Sequence, residues 1–125
     1  MSTGAGAGAS TGTGMEAEAE VDRLLRKAIA GHWLIKFALE GGAPRIAEPH
    51  DYGTMHGVDR VLVYQVGGES RSGRLPNWRL VTISKLSQLE VLDVKFGGPR
   101  GASSSHRHHW DRLFASVSQR PREAL

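Results

Sequence analysis

The segment EPHDYGTMH, residues 48–56, has the densest group of side chains that could do chemistry, with Glu48, His50, Asp51 and His56 close together. A histidine can act as a general base oriented by a carboxylate, and His50, Asp51 and His56 could also hold a metal ion. Neither spacing matches a defined motif, and the proline and glycine are typical of a strand end and a turn. Catalysis through His50 with Asp51 or Glu48 is therefore the minor hypothesis, and we predict neither a catalytic residue nor a metal site.

A second group of histidines, His106, His108 and His109, follows three serines near the C-terminus. Closely spaced neutral histidines can chelate a divalent metal ion. The serines before them indicate a solvated, weakly chelating tail. The sequence therefore predicts no cofactor here.

Four arginines are expected on strands, or in a loop, that a small barrel would bring together: Arg45, Arg71, Arg74 and Arg79. The guanidinium fork matches phosphate with two parallel hydrogen bonds. Tyr52, Tyr64 and Trp78 are near them in sequence, so the set could form a cationic groove with stacking platforms for a single strand or a nucleotide. The alternatives are that the arginines are solvated or paired with nearby acids, and that Trp78 belongs to the barrel core.

Apolar periodicity predicts the elements that position these residues. Residues 15–30 have one apolar stripe at helical spacing and are followed by Gly31. Period-two alternation then predicts five strands, at 33–40, 45–49, 60–66, 77–83 and 88–96, with a loop at Tyr52-Gly53 and a longer loop at 67–76.

The last of these strands changes its apolar parity, from Leu89 and Val91 to Leu92, Val94 and Phe96, which predicts a bulge or bend. Five short strands with one bent member are typical of a small barrel or partly closed sheet, with the helix over an open end. Residues 110–117 are expected to add a short helix or strand.

Length and composition limit the fold to one domain. Of 125 residues, the first fourteen, MSTGAGAGASTGTG, cannot bury enough surface to order themselves. We expect a disordered leader at 1–14, a domain at 15–96 and a partly disordered C-terminal extension at 97–125. The chain has no cysteine, so thiol chemistry and disulfides are excluded. We find no pattern of a signal peptide or membrane span, and we expect a cytoplasmic protein.

Charge is unevenly distributed along the chain. Residues 23–125 carry 16 basic and nine acidic side chains, because four of the 13 acids precede them. A body with this excess of positive charge favours anionic partners.

Residues 33–96 resemble a WYL domain, a Sm-like and SH3-like small β-barrel found mostly in bacterial transcription regulators. WLIKF is similar to the family's first strand, RIAEP at 45–49 to its R-x-v-x-P element, and VLVYQV to the strand that carries the family's name. NWRLVTISKLSQLEVLDVKF resembles the F-R-L-D-R-I stretch and the following strand. The Trp-Tyr-Leu triplet itself is replaced near Arg60-Val61-Leu62, and the second arginine of F-R-L-D-R-I aligns with Thr82.

The resemblance implies a sensor that binds an anionic ligand, a nucleic acid or nucleotide, through basic barrel residues and regulates a DNA-binding partner. No helix-turn-helix precedes the barrel here, so a separate regulator protein is the expected partner. Our first hypothesis is thus a non-enzymatic regulatory module that binds its ligand through Arg45, Arg71, Arg74 and Arg79, with Tyr64 and Trp78 as stacking residues. The alternative is a protein-interaction or homo-oligomerisation module that uses exposed strand edges.

Overall fold

The computed structural model describes residues 14–70, 74–100 and 109–118. The predictions made for the leader up to residue 13, and for Arg71, His106 and His108, lie outside the described residues. The described part has a mainly β fold with one N-terminal helix, as the sequence predicts.

Helix α1 (Gly14–Gly31) agrees closely with the predicted range. Leu25 and Ala28 are fully buried and Ile29 is 2% exposed, so the predicted apolar stripe is the face that packs on the sheet. The acidic side chains of the helix include two that pair with arginines one turn away: Glu20–Arg23 and Asp22–Arg26. These exposed pairs explain the local charge pattern and add little stability.

Six strands follow the helix: β1 (Trp33–Leu39), β2 (Arg45–Met55), β3 (Val58–Gly68), β4 (Asn77–Thr82), β5 (Leu86–Lys95) and β6 (Arg112–Ser116). They form one antiparallel sheet in the order β4-β3-β2-β1-β5, and β6 pairs with β2. A short 3₁₀ helix, Ile83–Lys85, joins β4 to β5.

The five predicted strands are all present, and the short element predicted at 110–117 is the sixth strand, β6. The sheet is open, so the prediction of a closed barrel is wrong. β4 and β5 are the end strands of an open sheet, and no ladder joins them within the described ranges. β2 has 11 residues and β1 has seven, so the edge of β2 extends beyond β1 and pairs there with the sixth strand, β6. β1 pairs only with residues 45–47 of β2, and β6 pairs with residues 51–54.

The loop predicted at Tyr52-Gly53 is also wrong, because β2 continues through both residues. Gly53 allows a close approach of two strands rather than a turn, because an added Cβ would clash with the carbonyl oxygen of Arg112 on β6. The turn comes later, at His56 and Gly57, which both have positive φ.

The predicted bulge in the last strand is confirmed. Ile35 of β1 is opposite Val91, but Trp33, two residues earlier, is opposite Lys95, four residues further along β5. The pairing of β1 with β5 is therefore irregular in the part of the strand where the sequence predicts a bulge or bend.

The core is between α1 and one face of the sheet. Ile35, Phe37, Val61 and Val63 are at most 1% exposed there. The Tyr52 hydroxyl donates a hydrogen bond of 2.8 Å to Asp22 Oδ1 of α1, which ties the helix to the sheet. Burial, together with Asp22, raises the pKa of Tyr52 well above its ordinary value. In the described part of the chain, no helix is long and apolar enough to cross a bilayer.

Candidate functional site: a cationic cleft and a buried carboxylate on opposite faces

The sheet separates two of the predicted arginines, Arg45 and Arg79, from the predicted stacking residues Tyr64 and Trp78. Trp78 and Arg79 are neighbours on β4, so their side chains are on opposite faces. Arg79 is opposite Val63 and on the core face, whereas Trp78 is opposite Tyr64 and contacts its ring at 5.0 Å between centroids. The groove predicted from these residues is therefore two sites rather than one.

The core face holds a cleft of about 290 Å³ that brings together two of the predicted arginines, Arg45 and Arg79. Lys85 and Gln65 line the same cleft, and its apolar lining includes Phe37. Arg45 reaches the cleft from the start of β2, and Arg79 reaches it from β4, on the other side of β3. The two guanidinium groups were predicted from residue type, and the fold places them at one cleft.

Gln65 is the residue that organises this cleft. It is fully buried, and its Oε1 accepts a hydrogen bond of 3.2 Å from Arg45 Nη1. Its Nε2 donates to the carbonyl oxygens of Gly67 at 3.1 Å and Glu69 at 2.6 Å. Arg79 Nη2 in turn donates to Ser70 Oγ at 2.6 Å. Hydrogen bonds through Gln65 and Ser70 thus connect the end of β3 and the residues after it to both arginines.

The cleft has an excess of positive charge. Among the described residues, three cationic side chains line it and one carboxylate, Glu40, whose Oε1 is 3.9 Å from Lys85 Nζ. Arg45 Nε is buried and has no hydrogen-bond partner among the described residues. A ligand that accepts hydrogen bonds would satisfy such a donor, and guanidinium groups bind phosphate or carboxylate oxygens best.

Of the other two predicted arginines, Arg74 is exposed before β4 and does not line this cleft, whereas Arg71 is outside the described residues. Sequence reasoning missed Gln65 and Lys85. Gln65 could have been found, because in VLVYQV it has the parity of the buried Val61 and Val63 and is therefore a polar residue at a core position.

The opposite face of the sheet carries a buried carboxylate, Glu48, with two cationic or polar partners. His50 Nε2 is 3.0 Å from Glu48 Oε1, and both residues are at most 5% exposed. Arg100 binds the carboxylate with two bonds, Nε to Oε1 at 2.9 Å and Nη2 to Oε2 at 2.6 Å. Its guanidinium lies 3.9 Å from the centroid of the Tyr64 ring. The ring of Trp78 covers His50 edge-on at 4.9 Å.

The ionisation of this pair follows from its surroundings. Burial raises the pKa of Glu48, but hydrogen bonds from Arg100 and His50 outweigh it and hold that pKa below its usual range. Burial lowers the pKa of His50 more than the neighbouring Glu48 raises it. The pair is therefore a carboxylate and a neutral imidazole at neutral pH, with Nε2–H donating to Glu48.

We expect the stability of the protein to fall as pH decreases from 7.5 to 5.5. The unfolded chain protonates His50 near pH 6.5, while the folded chain resists it, so the unfolded state binds more protons below that pH. The Glu48 carboxylate causes a second loss of stability at lower pH. Its contribution to the free energy of unfolding is fully present above about pH 4.3, and it disappears as pH falls through the lowered pKa of Glu48 in the folded state. Urea unfolding at a series of pH values measures the slope.

The matched control is His50→Gln, which keeps an amide donor but does not titrate. Its free energy of unfolding should depend less on pH between 7.5 and 5.5. An unchanged slope in this variant would contradict the assignment of the pH dependence to His50.

Of the two carboxylates considered as partners of His50 from the sequence, the structure brings Glu48 to the imidazole and directs Asp51 elsewhere. His50 is 1% exposed beneath Trp78 and Phe96, and its partner is Glu48, whereas Asp51 accepts a hydrogen bond from Ser116. Within residues 14–70, 74–100 and 109–118, no group of three histidine or acidic side chains is placed to hold a metal ion. His56 is exposed in the β2–β3 turn, and His109 is exposed before β6.

Comparison of the chain with protein-family models, with curated proteins and with solved structures finds no match. The candidate sites therefore depend on geometry and charge alone.

Proposed function

We propose that this chain is a non-enzymatic anion-binding regulatory module and that the cleft of Arg45, Arg79 and Lys85 binds its ligand. The observation that carries the proposal is that the two arginines reach one cleft from strands on either side of β3. The buried Nε of Arg45, which lacks a partner in the described residues, supports a ligand with acceptor oxygens.

The size and lining of the cleft favour a compact phosphate-bearing ligand such as a nucleotide. About 290 Å³ is near the lower end of ordinary small-molecule sites. A single strand usually also needs aromatic side chains beside the basic groove, and Tyr64 and Trp78 are on the opposite face. Of the two anionic ligands expected from the sequence, a nucleotide therefore fits this cleft better than a single-stranded nucleic acid.

The resemblance to WYL domains supports the same proposal, because it implies an anionic ligand bound by basic residues of the sheet. Within the proposal, ligand binding by this chain controls a separate transcription regulator in a bacterial cytoplasm. Arg79 is the arginine of the F-R-L-D-R-I stretch that this chain retains, and it is one of the two in the cleft.

The proposal is tested by binding of a fluorescent mononucleotide, and of labelled single-stranded DNA and RNA, at two salt concentrations. We expect Arg79→Ala to weaken nucleotide binding by roughly 10- to 100-fold, because a hydrogen bond to a charged group is lost. It should also flatten the salt dependence.

Arg74→Ala is the matched control, since it removes the same charge from an exposed position outside the cleft. We expect its affinity to stay within about twofold of the wild type, as is usual for an exposed charge away from the ligand. Equal losses in Arg74→Ala and Arg79→Ala would contradict a specific site. The absence of saturable binding at low salt would contradict the proposed function itself.

The second candidate function is a protein-interaction or oligomerisation module. It is favoured by the open sheet, whose end strands β4 and β5 have no neighbour beyond them among the described residues. Val94 on β5 is 51% exposed. Unpaired strand edges can add a strand from another chain. Light scattering over a range of concentrations separates the two candidates, because a mass that stays monomeric counts against self-association.

A further inference from the structure

The face opposite the cleft contains a complete binding arrangement for a planar cation. The two oxygens of Glu48 accept two parallel hydrogen bonds from Arg100, at 2.9 and 2.6 Å. The Tyr64 ring lies under the same guanidinium, 3.9 Å from its central carbon. A carboxylate in the guanidinium plane and an aromatic ring below that plane satisfy both its charge and its π face.

The acceptor half of this arrangement belongs to the sheet. Glu48 on β2 and Tyr64 on β3 are register partners, and the Glu48 side chain is 7% exposed. His50 fixes one carboxylate oxygen from within β2, and Trp78 supports the Tyr64 ring from β4. The carboxylate and the ring are thus held in place by groups other than Arg100.

The guanidinium that donates the two hydrogen bonds belongs to a segment outside the sheet. Arg100 follows β5 through Gly97, Gly98 and Pro99, and its side chain is 45% exposed. Up to Arg100, the last backbone hydrogen bond in the described part of this segment is from Phe96 N to the carbonyl of His32, at 2.9 Å. Among the described residues, the hydrogen bonds found for Arg100 are those that its side chain donates to Glu48.

We propose that Glu48 and Tyr64 form a binding site for the guanidinium of an arginine, that Arg100 fills it in cis, and that an arginine of a partner protein can replace Arg100. The charge complementarity selects the partner, since a buried carboxylate strongly favours a cation that satisfies both of its oxygens. This site is on the other face from the anion cleft and does not depend on the proposed function.

The test is the variant Arg100→Ala titrated with N-acetyl-arginine amide, and separately with N-acetyl-lysine amide, at constant ionic strength. We expect the arginine compound to raise the unfolding temperature of the variant saturably, because it binds only the folded state. The lysine compound should bind at least about 10-fold more weakly, since an ammonium can make neither the paired hydrogen bonds nor the planar stack. The wild type should also bind the arginine compound at least about 10-fold more weakly, because Arg100 competes at high effective concentration.

The double variant Glu48→Gln with Arg100→Ala is the control, and it should lose the response to arginine. If Arg100→Ala is unfolded alone, the arginine compound must restore its near-ultraviolet circular dichroism. The proposal is overturned by no saturable response, by equal responses to the two compounds, or by a response that persists without the Glu48 carboxylate. If the wild type and Arg100→Ala bound the arginine compound with equal affinity, the proposal that Arg100 occupies the site of Glu48 and Tyr64 would be overturned. Arg79→Ala should leave all these results unchanged, which separates them from a failure of the anion cleft.

Discussion

Replacing Phe37 by alanine is expected to lower the free energy of unfolding by about 3–5 kcal/mol, the usual range for a buried aromatic residue. Phe37 is 1% exposed on β1, in the cluster that joins α1 to the sheet. Its ring also lines the anion cleft of Arg45 and Arg79, so the volume vacated by the ring would be continuous with that cleft. Urea denaturation followed by circular dichroism measures the change.

The matched control for Phe37 is Val94→Ala on β5, which removes apolar atoms at a position that is 51% exposed. We expect a change within about 0.5 kcal/mol there, as for most surface substitutions. A loss below about 1 kcal/mol in Phe37→Ala would show that β1 does not pack against the core as described.

Replacing Gln65 by leucine is expected to lower the free energy of unfolding by about 2–4 kcal/mol and to weaken ligand binding. The change removes one hydrogen bond that the Gln65 side chain accepts and two that it donates, at a fully buried position. It leaves Arg45 Nη1 and the carbonyl oxygens of Gly67 and Glu69 without this partner, at about 1 kcal/mol or more for each group that water does not reach. Denaturation and nucleotide titration of the same variant measure both effects.

Tyr64→Phe is the control for Gln65→Leu, since it removes one polar group from the adjacent position of β3 while its ring faces the other side of the sheet. We expect it to change stability by less than about 1 kcal/mol and to leave nucleotide binding unchanged. If Gln65→Leu lost stability but bound nucleotide normally, Gln65 would support the fold without positioning Arg45.

Most of the secondary structure is predictable from the sequence, because it follows from local periodicity. The apolar stripe of α1 and the alternation in β1, β3 and β4 give elements close to those found. The length of β2 is not predictable in this way. Gly53 has the local character of a turn residue, and only the approach of β6, 59 residues further along the chain at Arg112, explains why a glycine is needed within a strand.

The candidate site is predictable in part. Alternation along NWRLVT already puts Trp78 and Arg79 on opposite faces of a strand, so the arginines and aromatic residues could have been separated before the fold was known. Gln65 among buried valines was a similar indication. Arg100 gave no such indication, because it lies in the irregular segment GGPRG and its role depends on Glu48, 52 residues earlier.

Sequence by itself determined the elements and their buried faces, the positive charge of the body and the identity of the arginines. These are properties of neighbouring residues, and the 3.6- and two-residue periods express them directly. Only the tertiary structure decided that the sheet is open, that Arg45 and Arg79 share a cleft, and that Arg100 closes on Glu48. Those outcomes depend on strand order and register, which result from pairing between distant segments and leave no local pattern.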